Sequence, residues 1–163
     1  MLFNKNRIHR YAKYIIFLVL LTTIQVPVFS QIFVQAEDFV AMNGVETEGC
    51  TDDGRGLNVG WIDSGDWIEY DVYIPIAGEY LFKVRAASLN GGSVLTITNS
   101  NNSSDDINIS ATGDWQNWQT FNGVSLSLEQ GIQRIKISTA TGGFNLNWFE
   151  LGFHNDYYSY YTN

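Results

Sequence analysis

Between Asp66 and Ile74 the side chains separate onto two faces with a period of two. Ile68, Tyr70, Val72 and Ile74 fall on one face, and Trp67, Glu69, Asp71 and Tyr73 on the other. Only extended backbone sorts side chains this way, because successive residues of a strand point to opposite sides. The next run, Glu79 to Ser88, repeats the pattern, with Tyr80, Phe82, Val84 and Ala86 inward and Lys83 and Arg85 outward. Pro75 and Gly78 mark the turn between them, and Asn90, Gly91 and Gly92 end the second run. No stretch sustains a helical period. Further strands are expected at Ile32 to Glu37, Val94 to Thr98, Ile107 to Ala111, Trp118 to Leu128, Gln133 to Thr139 and Asn145 to Phe153, with a polar loop over Asn99 to Asp106. Short strands at this spacing, bounded by turn residues, predict an all-β fold: a β-sandwich of two antiparallel sheets with Greek-key or jelly-roll connections.

The first thirty residues read differently. Lys5, Arg7, Arg10 and Lys13 precede an apolar run from Tyr14 to about Val26, and Val28, Phe29 and Ser30 follow Pro27. That is the pattern of a secretory signal peptide over residues 1–30, and the run is short for a membrane span of about 20 residues. The expected organisation is therefore a signal peptide at 1–30, one β-sandwich module at 31–153, and a tyrosine-rich tail at 154–163. The expected location is extracellular or periplasmic, with no membrane attachment after cleavage.

Cleavage removes four of the nine basic residues and none of the seventeen acidic ones, taking the formal net charge from −8 to −12. Such a domain repels nucleic acid and anionic membrane surfaces, and heavily sulfated or uronate polymers too unless calcium or a local basic patch intervenes. Neutral glycans meet no such barrier. Cys50 is the single cysteine, so an exported fold of this chain stands on its core or on a bound metal, without a disulfide.

His154 is the one histidine outside the signal segment, which argues against a Ser-His-Asp or Cys-His centre and against zinc. Carboxylates are plentiful, and a glycosidase needs two of them across a cleft. The close pairs here, Glu46 and Glu48 among them, sit in glycine-rich stretches that favour loop residues or calcium ligands. Tryptophan gives the sharper signal. Trp61 follows Asn58-Val59-Gly60, and Trp115 follows Thr112-Gly113-Asp114, both in polar, glycine-containing stretches read as loops. An aromatic there either caps the core or faces a ligand. Sugar C–H faces pack on aromatic rings while the hydroxyls need hydrogen bonds from amides or carboxylates. Asn145, after Thr141-Gly142-Gly143-Phe144, is a candidate for that role. Trp118 begins a strand and is expected to pack inward.

Several separate stretches stand in an order that resembles carbohydrate-binding module family 6. They are Gln35-Ala36-Glu37-Asp38-Phe39, Gly44-Val45-Glu46-Thr47-Glu48, the run from Gly56 to Trp67, Gly78-Glu79-Tyr80, Thr112 to Trp118, and Gly142 to Trp148. The resemblance implies a jelly-roll β-sandwich whose edge loops clamp a sugar between two aromatics, here Trp61 and Trp115, with Asn145 hydrogen-bonding its hydroxyls. It implies a second carbohydrate site on a sheet face at Glu48 and Trp67. It also implies a structural calcium held by Gln35, Glu37 and Asn147, where an aspartate is often found in place of Asn147; Asp38 and the Glu46 backbone are further ligand candidates. Family members bind polysaccharides such as xylan, β-glucan or agarose, commonly beside a partner glycoside hydrolase. A shallow clamp of this kind is expected to bind at roughly 10 μM to 1 mM.

The expectation is thus non-catalytic binding of a neutral, β-linked polysaccharide or oligosaccharide. Its rivals are a small glycan hydrolase using Glu46 or Glu48, and an adhesion or assembly domain whose aromatics contact protein.

Overall fold

The computed structural model describes residues 31–101 and 104–154. The signal-peptide expectation at 1–30 and the tail beyond His154 lie outside the described residues. Among the described residues there are eleven strands: β1 (Ile32–Gln35), β2 (Ala41–Asn43), β3 (Glu46–Gly49), β4 (Leu57–Ile62), β5 (Trp67–Ile74), β6 (Gly78–Ala87), β7 (Ser93–Thr98), β8 (Ser104–Ile109), β9 (Gln119–Leu128), β10 (Gly131–Thr139) and β11 (Phe144–Phe153). They form two antiparallel sheets. One runs β3-β4-β11-β6-β9 with β1 also paired to β11, and the other runs β2-β5-β10-β7-β8.

The alternation read from sequence is the alternation observed. Ile68, Tyr70, Val72 and Ile74 of β5 are buried, as are Tyr80, Phe82, Val84 and Ala86 of β6. Their inner faces meet in one core. Phe82 stacks on Phe149 at 4.9 Å between centroids, and Tyr70 meets Phe149 edge-on at the same distance. Tyr70 is wholly enclosed, which pushes its phenol well above the ordinary tyrosine range by desolvation. Its hydroxyl donates to the Ala36 carbonyl at 2.8 Å, so the buried polar atom has a partner. Each such side chain contributes about 1.5–3 kcal/mol of transfer free energy. The core therefore holds the sandwich without a disulfide; Cys50 is buried against Ala87 and Trp118.

Three strands escaped the sequence reading. β2 and β3 are three and four residues long, too short for a periodic pattern to register. β4 covers a stretch read as a glycine-rich loop, and Trp61 lies on it. The loop expected over 99–106 is also shorter than read, because β8 begins at Ser104. At the other end, the His154 N–H donates to the Glu79 carbonyl at 2.7 Å, extending the β11–β6 ladder by one residue.

Candidate functional site

The edge of the six-stranded sheet carries a cleft of about 360 Å³ lined by Glu48, Trp61, Ile62, Asp63, Trp115, Gly143, Phe144 and Asn145. Trp61 is 55% exposed and Trp115 is 41% exposed, while Asn145 between them is 5% exposed. The structure thus brings together the three residues expected to form the aromatic clamp. Trp118 is buried, as expected.

Trp61 reaches solvent through a fault in its strand. β11 pairs with β4 at Phe144↔Ile62 and Leu146↔Val59, so two steps on β11 span three on β4. The extra residue is a β-bulge. Strict alternation from buried Val59 would turn Trp61 into the core and Ile62 out. Instead Trp61 adopts φ +53°, a left-handed conformation in a non-glycine residue, and Ile62 is the buried one. The bulge reverses the phase of the strand and aims the indole outward.

Trp115 sits in the connection between β8 and β9, and its position follows from the turn beneath it. The Asp114 carboxylate accepts the Gln116 N–H at 3.0 Å, closing a short side-chain turn at the tip. Thr112 anchors the base: its N–H donates to the Ser88 carbonyl at 2.8 Å, and its hydroxyl oxygen accepts the Ser88 N–H at 2.9 Å. The Ser88 hydroxyl in turn donates to the Gly143 carbonyl at 2.6 Å. Gly143 donates to the Ile62 carbonyl at 2.8 Å. Gly142 allows this approach, since a Cβ there would lie 2.6 Å from the Ile62 carbonyl oxygen. One set of bonds therefore fixes both tryptophan-bearing segments to the start of β11.

The floor is a polar network. Glu48 Oε1 accepts from Asn145 Nδ2 at 2.8 Å, from Gln116 Nε2 at 3.2 Å and from Asn58 Nδ2 at 3.3 Å. Asn145 Nδ2 also donates to the Trp115 carbonyl at 2.9 Å. Gln116 donates to Asn58 Oδ1 at 3.1 Å and accepts the Thr51 N–H at 3.0 Å. Gln116 and Asn58 were not anticipated. Glutamine lying between Trp115 and Trp118 reads in sequence as an exposed loop residue, and nothing local shows that it ties β3, β4 and the Thr51 loop together.

Glu48 was expected with Trp67 in a second site. The structure places them on different sheets. Glu48 is on β3 and lines the tryptophan cleft, whereas Trp67 is on β5 of the five-stranded sheet. There the Lys136 ammonium lies 4.4 Å from the Trp67 ring centroid. The two residues share no face because the connection from β4 to β5 crosses from one sheet to the other.

The expected calcium ligands come from adjacent strands. Gln35 pairs with Trp148 on β11, and the Ala36 N–H donates to the Asn147 carbonyl at 2.9 Å. Glu37 Oε1 accepts the Leu57 N–H at 3.3 Å, but its Oε2 is buried and has no hydrogen-bond partner. A buried carboxylate oxygen without a donor is costly, and a hard cation suits it. Asn147 Nδ2 donates to Asp52 Oδ2 at 2.8 Å, which directs its Oδ1 away from Asp52. Among the described residues, no three His, Cys, Asp or Glu side chains cluster to hold a metal. A cation here would need neutral amide or carbonyl oxygens beside Glu37, since carboxylates alone do not gather at the site. Asp52 is itself clamped by Arg85, at 2.7 and 2.8 Å, and that guanidinium holds its carboxyl below the usual aspartate range.

Comparison with known proteins agrees with this geometry. Residues 35–152 match the model of carbohydrate binding module family 6. The sandwich superposes on the family 6 module of Cellvibrio mixtus lichenase 5A, solved with cellotriose, with a TM-score of 0.70 and 40% identity, covering 76% of this chain and 98% of that one. A β-1,3-glucan-binding family 6 module from Bacillus halodurans gives a TM-score of 0.64 and 33% identity over 72% of this chain and 92% of that one. The clotting factor G alpha subunit of Tachypleus tridentatus is 28% identical over 121 residues, 72% of this chain and 18% of its own length. A beta-agarase of Microbulbifer thermotolerans is 32% identical over 98 residues, 58% of this chain and 22% of its own length. The chain thus spans about a fifth of each of these two larger proteins. With its match running from Gln35 at the close of β1 to Gly152 in β11, and its two open indoles at the sheet edge, this chain belongs to carbohydrate-binding module family 6.

Proposed function

We propose that the chain binds a neutral, β-linked polysaccharide or oligosaccharide and does not cleave it. One observation carries the reading: Trp61 and Trp115 stay largely exposed on either side of a cleft whose floor is hydrogen-bonding. A pyranose lying between the rings buries its C–H faces on indole while its hydroxyls meet Asn145 and Glu48. The solved relatives named above carry cellotriose or bind β-1,3-glucan, and another family 6 module, from Clostridium cellulolyticum, was solved with xylose. β-Glucans and xylans are therefore the first ligands to try, with agarose next because of the agarase relative.

Against hydrolysis, Glu48 Oε1 takes three amide N–H groups, which suits a fixed hydrogen-bond acceptor rather than a proton-donating acid. The protein is read as exported and as acting beside a glycoside hydrolase. Gln35, Glu37 and Asn147 would hold a calcium ion, which would neutralise the orphaned Glu37 oxygen and tie β1 to β11. Isothermal titration against cello-, laminari-, xylo- and agaro-oligosaccharides tests the binding. Saturable heat with at least one is expected, with no new reducing ends after prolonged incubation. Absence of binding to all four, or steady release of reducing ends, would overturn the reading.

A further inference from the structure

The hydrogen-bond network beneath the cleft has a polarity, and the polarity selects a ligand chemistry. The side-chain amides of the floor point their N–H groups at protein. Asn145 gives its two hydrogens to Glu48 Oε1 and the Trp115 carbonyl. Gln116 gives its amide hydrogens to Glu48 Oε1 and Asn58 Oδ1, and Asn58 donates to Glu48 Oε1. Both partners of Asn145 are pure acceptors, so its amide cannot be turned over without setting oxygen against oxygen. Among the side chains lining the cleft, the atoms these bonds leave unused are Glu48 Oε2 and Asn145 Oδ1, joined by the exposed carboxylate of Asp63, and all of them are acceptors. Gly60 keeps this surface open, since a Cβ there would stand 3.0 Å from Asn145 Oδ1 and 3.3 Å from Glu48 Oε1. Side-chain donors remain only on the walls, as the indole N–H groups of Trp61 and Trp115.

We propose that the floor recognises sugar hydroxyls strictly as proton donors, so that the ligand is a glycan presenting free, unsubstituted hydroxyls to Glu48 and Asn145. This rests on the binding reading above and adds its direction. An O-methyl, O-acetyl, sulfate or carboxylate group at the contacting position offers only acceptors to a floor that already holds two carboxylates, and it is refused.

Fluorine separates the two directions, because a deoxyfluoro sugar accepts weakly but donates nothing. The tightest binder among cellotriose, laminaritriose and xylotriose is titrated beside its monodeoxy and monodeoxyfluoro analogues, one hydroxyl at a time. At least one position should lose affinity tenfold or more on fluorination, and as much as on deoxygenation. In Glu48→Gln the side-chain amide places an N–H where Oε2 stood, so the fluorination penalty at one position should vanish even though the parent sugar binds more weakly. If every sensitive position tolerates fluorine, or no position is sensitive at all, the polarity is wrong while glycan binding stands. If none of these three binds, an agaro-oligosaccharide is titrated in their place, and if that fails as well the binding reading falls and the polarity falls with it.

Discussion

Asn145 on β11 donates to Glu48 on β3 at 2.8 Å, although 97 positions of sequence separate them. Neither residue's strand pairs with the other's; β4 lies between them, and Gly60 of β4 leaves the space that lets them meet. Gly60→Ala sets a methyl group 3.0 Å from Asn145 Oδ1. The φ at Gly60 is not in the left-handed region, so alanine fits the backbone. We expect glycan affinity to fall about tenfold or more, equal to roughly 1.4 kcal/mol, with unfolding free energy changed by no more than about 1 kcal/mol. Titration calorimetry and a urea melt on the same preparation check it.

The bulge at Trp61 makes a comparison between two truncations informative. Trp61→Ala and Trp61→Gly both remove the ring and should both lose binding. Only glycine relieves the left-handed conformation, which costs an L-residue about 1–2 kcal/mol. The glycine variant should therefore melt higher than the alanine variant. The opposite order would contradict the strain assigned to this position.

How far the sequence revealed this arrangement differs between its parts. β5 and β6 were legible because each buries one face and solvates the other, so their period of two holds through all of β5 and through β6 from Glu79 to Ala86. β4 was not, because the bulge at Gly60 and Trp61 reverses its phase midway and leaves no pattern to find. The same fault is what exposes Trp61, so the sequence reading had an open indole here but placed it on a loop rather than on a strand. The grouping of Trp61, Trp115 and Asn145, which line one cleft, came from the family resemblance together with the polar setting of the tryptophans. Gln116 and Asn58 were hidden for another reason: their role exists only through contacts with Glu48 and Thr51, far away along the chain. The pairing of Glu48 with Trp67 failed because the strand order, and not the sequence, decides which sheet each residue joins.

Acid should weaken the fold through Asp52. Its side chain is 9% exposed and is gripped by Arg85, chiefly by hydrogen bonding, which lowers its pKa. A carboxyl depressed in the folded state contributes its full stabilisation above the unfolded value, about 3.9, and loses it as pH falls through the lower folded value. Asp52→Asn should cost about 2 kcal/mol near neutral pH. It should cost progressively less below about pH 4. Denaturant melts from pH 7 to pH 2.5 test this, and a penalty independent of pH would contradict the pairing.

Calcium should raise the melting temperature and a chelator should lower it, because a cation bound only to the native state stabilises it by linkage. A shift of roughly 4 °C or more would correspond to about 1 kcal/mol in a domain of this size. Glu37→Gln should lose the response. Identical melts of wild-type protein in calcium and in chelator would remove the ion from the account.

The open pair of indoles is tested most directly by Trp115→Ala, measured twice on one sample: by titration with the oligosaccharide that wild-type protein binds best, and by thermal melting. The account predicts that binding is lost while the melting midpoint moves by less than about 3 °C, since Trp115 is 41% exposed and contributes little to the core. Binding that survives the substitution, or a collapse of the midpoint, would contradict it.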